Sequence, residues 1–269
     1  MLIKLLKHEF RATARIMGPL YLVLLAVALG FNFSARLMDT SSVVLNILAA
    51  LVILAYVAAI IGVFIVAFIL MLQRFYKNLL GDEGYIMFTL PASVHQHVWS
   101  KLIVSAVWFI ATGVVVILSV FVAAFNVSFL ADLADVFPRL FQELNAYYAF
   151  NGTAFLLELL VLMLAACMSF SLQFYAALAV GHSFANHKMA LSVAFFFAFQ
   201  FVMQMAGGVL LAMLDQGPLG SLLAGLNFQV SGMPAIHIAM VGMIVLTVVY
   251  GAVFYIVTTV TLKKRLNLE

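Results

Sequence analysis

A metal centre or an acid–base site in this 269-residue chain would have to be assembled mainly from six histidines, one cysteine and ten carboxylates. Their spacing favours neither. His95 and His97 stand two apart, and His182 and His187 stand five apart beside Lys188. A metal wants convergent ligands, usually with carboxylate or thiol support, and no such support is close to either pair. Cys167 lies inside an apolar run, where a lone thiol acts as a small packing residue and forms no internal disulfide. No His-Glu-x-x-His motif, nucleophile elbow or phosphate-binding glycine loop occurs. Intramembrane catalysis and direct binding of ATP in a phosphate loop are therefore not expected.

Glu158 is the one acidic residue inside an expected membrane span. An ionisable group at the centre of a span costs about 2.5–3.5 kcal/mol on insertion scales, so it faces protein or water and often serves function. Gln173, Gln200 and Gln204, with Asn46, are further candidates for lining a pathway. Hydrogen bonds between helices account for the same residues equally well.

The densest polar chemistry lies between Arg74 and Lys101, where Arg74, Lys77, Asp82, Glu83 and Lys101 interrupt two long apolar runs. Such a cluster is expected to face water and a partner. Gly81 and Gly84 bracket Asp82-Glu83, which lets the backbone turn sharply while two carboxylates project. Tyr85, Phe88 and Leu90 then recur at near-helical spacing, and Pro91 ends any helix. Ser93 is followed three residues later by Gln96, the pattern of a capping box that starts a new helix. The spacing predicts a short helix, a break and a freshly capped helix running into the membrane, a lever more than a loose linker.

The elements that hold these residues are apolar helices. The chain is 67% hydrophobic and 9% charged, and about 20 apolar residues at 1.5 Å rise match a hydrocarbon core of ~30 Å. Six spans are expected, near 16–34, 43–72, 100–127, 152–181, 189–214 and 235–261, with a cytoplasmic segment 73–99. The fold class is all-α and polytopic, in one transmembrane domain, 1–269, without an appended enzyme module. Before the first span, Ile3, Leu6, Phe10, Ala14 and Met17 recur at helical spacing while Lys4, Lys7, His8, Arg11 and Arg15 share the other side. This predicts an interfacial helix over 1–15 in place of a cleaved signal peptide.

Lys4, Lys7, Arg11, Arg15, Arg74, Lys77, Lys101, Lys188, Lys263, Lys264 and Arg265 fall on one side of the expected topology, and Arg36 and Arg139 on the other. Retention of positive charge in the cytoplasm puts both termini inside, which requires an even number of spans. On the outer side, 128–150 carries an amphipathic pattern, with Pro138 positioned to begin a second interfacial helix, and the glycine-rich 215–234 permits a short dip into the outer leaflet. The phenylalanine run 195–199 is expected to serve as packing and lipid-facing surface.

The stretch Tyr76-Lys-Asn-Leu-Leu-Gly-Asp-Glu-Gly-Tyr-Ile-Met-Phe-Thr-Leu-Pro-Ala-Ser93, followed by Ser100-Lys-Leu102, resembles the loop between spans two and three of bacterial ABC-2-type transporter permeases. In that family an acidic-Gly motif, a Thr-Leu-Pro motif and a lysine opening the third span occur in this order. The terminal segments Leu5–Arg15 and Leu262–Glu269, and Gly181–Lys188 between spans four and five, are similar to the corresponding family segments. The resemblance implies a type V exporter-like subunit with an amino-terminal elbow helix, in the bacterial plasma membrane. It would pair with a second permease, identical or paralogous, and dock two copies of a separate ABC ATP-binding subunit that holds ATP and Mg. It further implies coupling through Asp82, Glu83, Gly84, Tyr85, Phe88, Thr89, Leu90 and Pro91, with residues 79–91 in a cleft of the ATPase, Glu83 ready for a salt bridge and Tyr85 or Phe88 as anchors. His182, His187 and Lys188 would belong to a second inner loop.

Two other classes compete with a permease subunit. An ATPase-independent channel or ion-coupled carrier would favour paired inverted repeats and midplane ionisable groups, and neither occurs beyond the off-centre Glu158. An intramembrane enzyme would need a polar constellation that is missing. No nucleic-acid partner and no cofactor of this chain's own are expected.

Overall fold

The computed structural model is all-helical, and it describes residues 2–37, 43–81, 83–89, 91–125, 135–136, 138–139, 142–143, 152–184, 186–215 and 233–264. Among the described residues six helices are long and apolar enough to cross a membrane: Leu2–Ala35, Val43–Leu80, Val94–Ala123, Ala154–Gly181, Lys188–Val209 and His237–Lys264. In lipid a lone helix satisfies its own backbone donors and acceptors, so apolar runs of this length become helices. The chain is thus a multi-pass membrane protein.

The chain forms two compact units, Met1–Phe75 with Pro91–Glu143, and Tyr76–Leu90 with Leu144–Glu269. In the first unit, α1 (Leu2–Leu37), α2 (Val43–Phe75) and α4 (Val94–Ala123) pack against one another. Leu24 and Ala28 of α1, Tyr56 and Val63 of α2 and Ala123 of α4 form the core, with the ring of Phe31 5.1 Å from that of Tyr56. Polar pairs tie the helices together: Tyr21 to Thr112 at 2.8 Å, Tyr56 to Ser119 at 3.0 Å, and Asn32 Nδ2 to the Ala123 carbonyl at 2.9 Å. With water absent, such bonds carry much of the helix association that the hydrophobic effect supplies elsewhere.

α1 departs from the sequence reading in two ways. It runs unbroken from Leu2 to Leu37 through Pro19, so residues 1–15 and the first span are one element. Proline removes a single donor, and the flanking turns continue. Met17 of the expected apolar face is buried, but it shares its stripe with Glu9 and Thr13, while Ile3 is 81% exposed and Ala14 is exposed too. Lys4, Lys7, His8, Arg11 and Arg15 are exposed as expected.

In the second unit a five-residue π turn, Tyr76–Leu80, leads to α3 (Glu83–Thr89). Here α5 (Gly152–Gly181) packs along α7 (Met233–Lys264) and against α6 (Lys188–Asp215). Small residues permit the close approach of α5 and α7: Ser169 Oγ donates to the Thr247 carbonyl at 2.8 Å, and a Cβ on Gly251 would lie 2.5 Å from that oxygen. The phenylalanine run divides by helix face. Phe195 stacks with Phe184, Phe196 with Phe174 at 4.4 Å, and Phe199 meets Phe254, whereas Phe197 and Phe201 are exposed.

Of the segments expected on the outer side, residues 135, 136, 138, 139, 142 and 143 are helical, with Arg139 Nη2 3.6 Å from Asp135 Oδ2 one turn away. The remainder of 128–150, nearly all of the segment 215–234 and the terminal residues 265–269 lie outside the described residues.

Candidate functional site

The expected sequence of helix, break and capped helix is present between Arg74 and Lys101. The π turn closes with Gly81 N–H donating to the Tyr76 carbonyl at 2.9 Å, and Gly84 N–H donates to the Gly81 carbonyl at 2.8 Å. A Cβ on Gly81 would meet the Lys77 carbonyl oxygen at 3.1 Å, so the turn leaves that position little room. α3 opens with Glu83 in its first turn, where a carboxylate complements the helix dipole. Glu83 Oε1 lies 4.0 Å from Lys77 Nζ, with both side chains at least half exposed. Such a pair contributes little to stability, ~0.2–1 kcal/mol, and leaves the carboxylate open to a stronger partner.

Gly84 is buried, while Thr89 and Pro91 are exposed. Leu79 and Leu80 are also buried, which corrects the docking face that the sequence suggested for 79–91: among its described side chains the exposed ones are Glu83, Thr89 and Pro91. Asp82 and Leu90, and the side chains of Tyr85 and Phe88, lie outside the described residues.

In the first unit, Ser93 caps α4. Its Oγ accepts from Gln96 N–H at 3.3 Å, and Gln96 Oε1 accepts from Ser93 N–H at 3.4 Å, completing the capping box.

The turn between α5 and α6 meets the π turn within the second unit. The ring of Tyr76 stands edge-on to His182 at 5.1 Å. His182 is buried, with Nδ1 2.8 Å from the Leu178 carbonyl and 3.4 Å from Ser192 Oγ. Burial pushes its imidazole below the usual histidine value, with Lys188 adding to the shift and the Leu178 carbonyl opposing it. His182 is therefore neutral at pH 7 and packs between Tyr76, the end of α5 and Ser192 of α6. His187 and Lys188 start α6: His187 is exposed and takes a left-handed φ of 56°, and Ser192 Oγ donates to the Lys188 carbonyl at 2.9 Å. The end of α5 touches the start of α6 so closely that a Cβ on Gly181 would lie 2.5 Å from Ser192 N.

Lys101 corrects the expectation of a water-facing cluster. Its side chain is 2% exposed and ion-paired with Glu9 of α1. Lys101 occupies the face of α4 that packs on α1, and its charge is tolerable there because a carboxylate meets it. Beside this pair, Trp108 Nε1 donates to Thr13 Oγ1 at 2.7 Å and Thr13 donates to the Glu9 carbonyl at 2.8 Å. Glu9 escaped the sequence reading. The available signal was one acid among five basic residues, in register i, i+4, i+8 with Thr13 and Met17.

In the second unit Glu158 is held by His237 of α7, whose Nδ1 is 2.7 and 2.8 Å from the two carboxylate oxygens. His237 was also missed, because 79 residues separate it from Glu158. Gln173 Nε2 donates to Gln200 Oε1 at 2.8 Å, bringing two of the pathway candidates together. Gln204 is exposed, and Asn46 belongs to the first unit, where its buried Oδ1 has no hydrogen-bond partner among the described residues.

Compared with family models, with curated proteins and with solved structures, the chain gives no match.

Proposed function

We propose that this chain is the membrane-spanning permease subunit of an ATP-driven exporter. Two copies of a separate ATP-binding subunit, holding ATP and Mg, drive it, and a second permease, identical or paralogous, completes the translocation pathway. The observation that carries the reading is α3, a seven-residue helix between a π turn and the break before the Ser93 cap, with Glu83 exposed on its first turn. A short helix entered through a hydrogen-bonded turn transmits displacement, where a flexible loop would absorb it. The resemblance of residues 76–93 to the coupling loop of ABC-2 permeases points the same way.

In this reading the basic side of the first turns of α1 lies at the inner membrane surface as the elbow of a type V-like exporter. Both termini are cytoplasmic, in the plasma membrane of a bacterium. Nucleotide binding favours one arrangement of the ATPases over another, and α3 passes that preference to the spans. Glu83→Arg is the test. The variant is expected to insert and purify normally but to lose the ATP-binding subunit on copurification. Full retention of the ATPase with undiminished transport would remove Glu83 and α3 from the interface.

The Glu158–His237 pair favours a second reading, a proton-coupled carrier working without an ATPase. Uptake or efflux by the chain alone in vesicles, driven by a pH gradient and abolished in Glu158→Gln, would establish it over the first.

A further inference from the structure

Within the second unit, α5, α6 and α7 line an open cavity of about 680 Å³, inside the ~300–1,000 Å³ range of small-molecule sites. Phe170, Phe196 and Tyr250 line it with aromatic surface, and Gln173, Gln200 and Thr247 contribute the polar groups. No acidic or basic side chain lines it among the described residues. Gln173 stands eight residues before Gly181, the end of its span, or about 12 Å along the helix axis, so the amide pair falls within the membrane-length part of the helix.

The composition of this lining restricts what can occupy it. A primary amide offers two donors and one acceptor oxygen, and the Gln173–Gln200 bond uses one donor of the first and the oxygen of the second. Among the described residues no second hydrogen bond engages either amide, and none engages the Tyr250 hydroxyl. Polar groups in hydrocarbon are costly without partners. Phospholipid acyl chains supply none at this depth, because their headgroups remain at the surface, ~15 Å from the midplane. A charged ligand would leave its charge unpaired here, at still greater cost.

We infer that this cavity binds an uncharged amphiphile, with its apolar body against Phe170, Phe196 and Tyr250 and a hydroxyl or amide head on Gln173 and Gln200. The assignment deepens the exporter reading, and rests on it for treating the occupant as cargo.

The test uses the full chain in phospholipid nanodiscs and 1-octadecanol carrying a photoreactive diazirine, with diazirine-bearing stearate and octadecyltrimethylammonium as charged counterparts. The alcohol is expected to label residues 166–173, 196–200 and 246–250 about tenfold more than either charged chain, the ratio expected from roughly one good hydrogen bond. Ala166→Trp, at an exposed position that fills the cavity from its rim, is expected to remove this label. Gln200→Leu, also at an exposed position, is expected to weaken it severalfold while the variant still purifies folded. Even labelling over all apolar helices, or equal labelling by stearate, means bulk lipid only and overturns the site. ATPase copurification without cavity labelling overturns the site alone. Labelling without any ATPase partner leaves the site standing and overturns the exporter reading.

Discussion

Lys101 of α4 and Glu9 of α1 form a buried ion pair in the first unit, 92 positions apart in the chain and almost closed to solvent. A buried pair adds little net stability compared with apolar packing, yet removing one member strands a charge. Lys101→Met is therefore expected to destabilise the chain by about 3–5 kcal/mol, read as a large drop in the thermal midpoint in detergent. Glu9→Gln combined with Lys101→Met should recover most of that loss. A double variant as unstable as the single one would mean that the pair is not the source.

The neutral, buried His182 makes the turn between α5 and α6 sensitive to acid. Its folded pKa lies below the unfolded value of about 6.5, so in the window below that value the unfolded chain binds a proton that the folded chain refuses. Stability thus rises with pH across the window and is lost as pH falls through about 6.5. His182→Gln cannot titrate, and its melting temperature should change less than that of the wild type between pH 7.5 and 5.5. Identical pH slopes for both proteins would show that His182 is not the group responsible.

The two close glycine contacts predict opposite outcomes for rescue. Gly251→Ala meets only Ser169 Oγ below 3 Å, and the next atoms, Ser169 Cβ and Cα, are at 3.4 and 3.6 Å. Ser169→Ala should then restore much of the ~1–3 kcal/mol that overpacking costs, less the hydrogen bond to Thr247. Gly181→Ala instead meets the Ser192 backbone as well as its hydroxyl, with N at 2.5 Å and Cα at 2.6 Å. Ser192→Ala should not rescue it. Comparing the four melting curves separates a side-chain clash from a backbone clash.

His187 holds a φ of 56° at the entry to α6. The left-handed region costs a non-glycine residue roughly 1–2 kcal/mol, and glycine gives part of that back through its freedom in the unfolded state. His187→Gly is expected to be neutral or stabilising by up to ~1 kcal/mol, while His187→Val, branched at Cβ, should be clearly destabilising. Loss of stability in the glycine variant, measured by thermal unfolding, would mean that the imidazole itself holds the turn.

Six membrane-length helices, the break at Pro91 and the Ser93–Gln96 cap were all legible in the sequence. Each depends on chemistry between residues close in the chain: apolar runs that satisfy their own backbone in lipid, a proline without a donor, and a serine and glutamine three apart. Helix faces were not legible in the same way. On α1 the apolar spacing suggested a face of Ile3, Leu6, Phe10, Ala14 and Met17; Met17 is buried, but in a stripe with Glu9 and Thr13, while Ile3 and Ala14 are exposed.

The reason is physical. In water, burial separates apolar from polar faces and prints a periodicity on the sequence, but lipid is as apolar as a protein core, so both faces of a span read alike. What chooses the packed face is then the meeting of small and polar groups distant in the chain. Glu9 with Lys101, Glu158 with His237, Gln173 with Gln200 and Ser169 beside Gly251 were decided only by the tertiary structure.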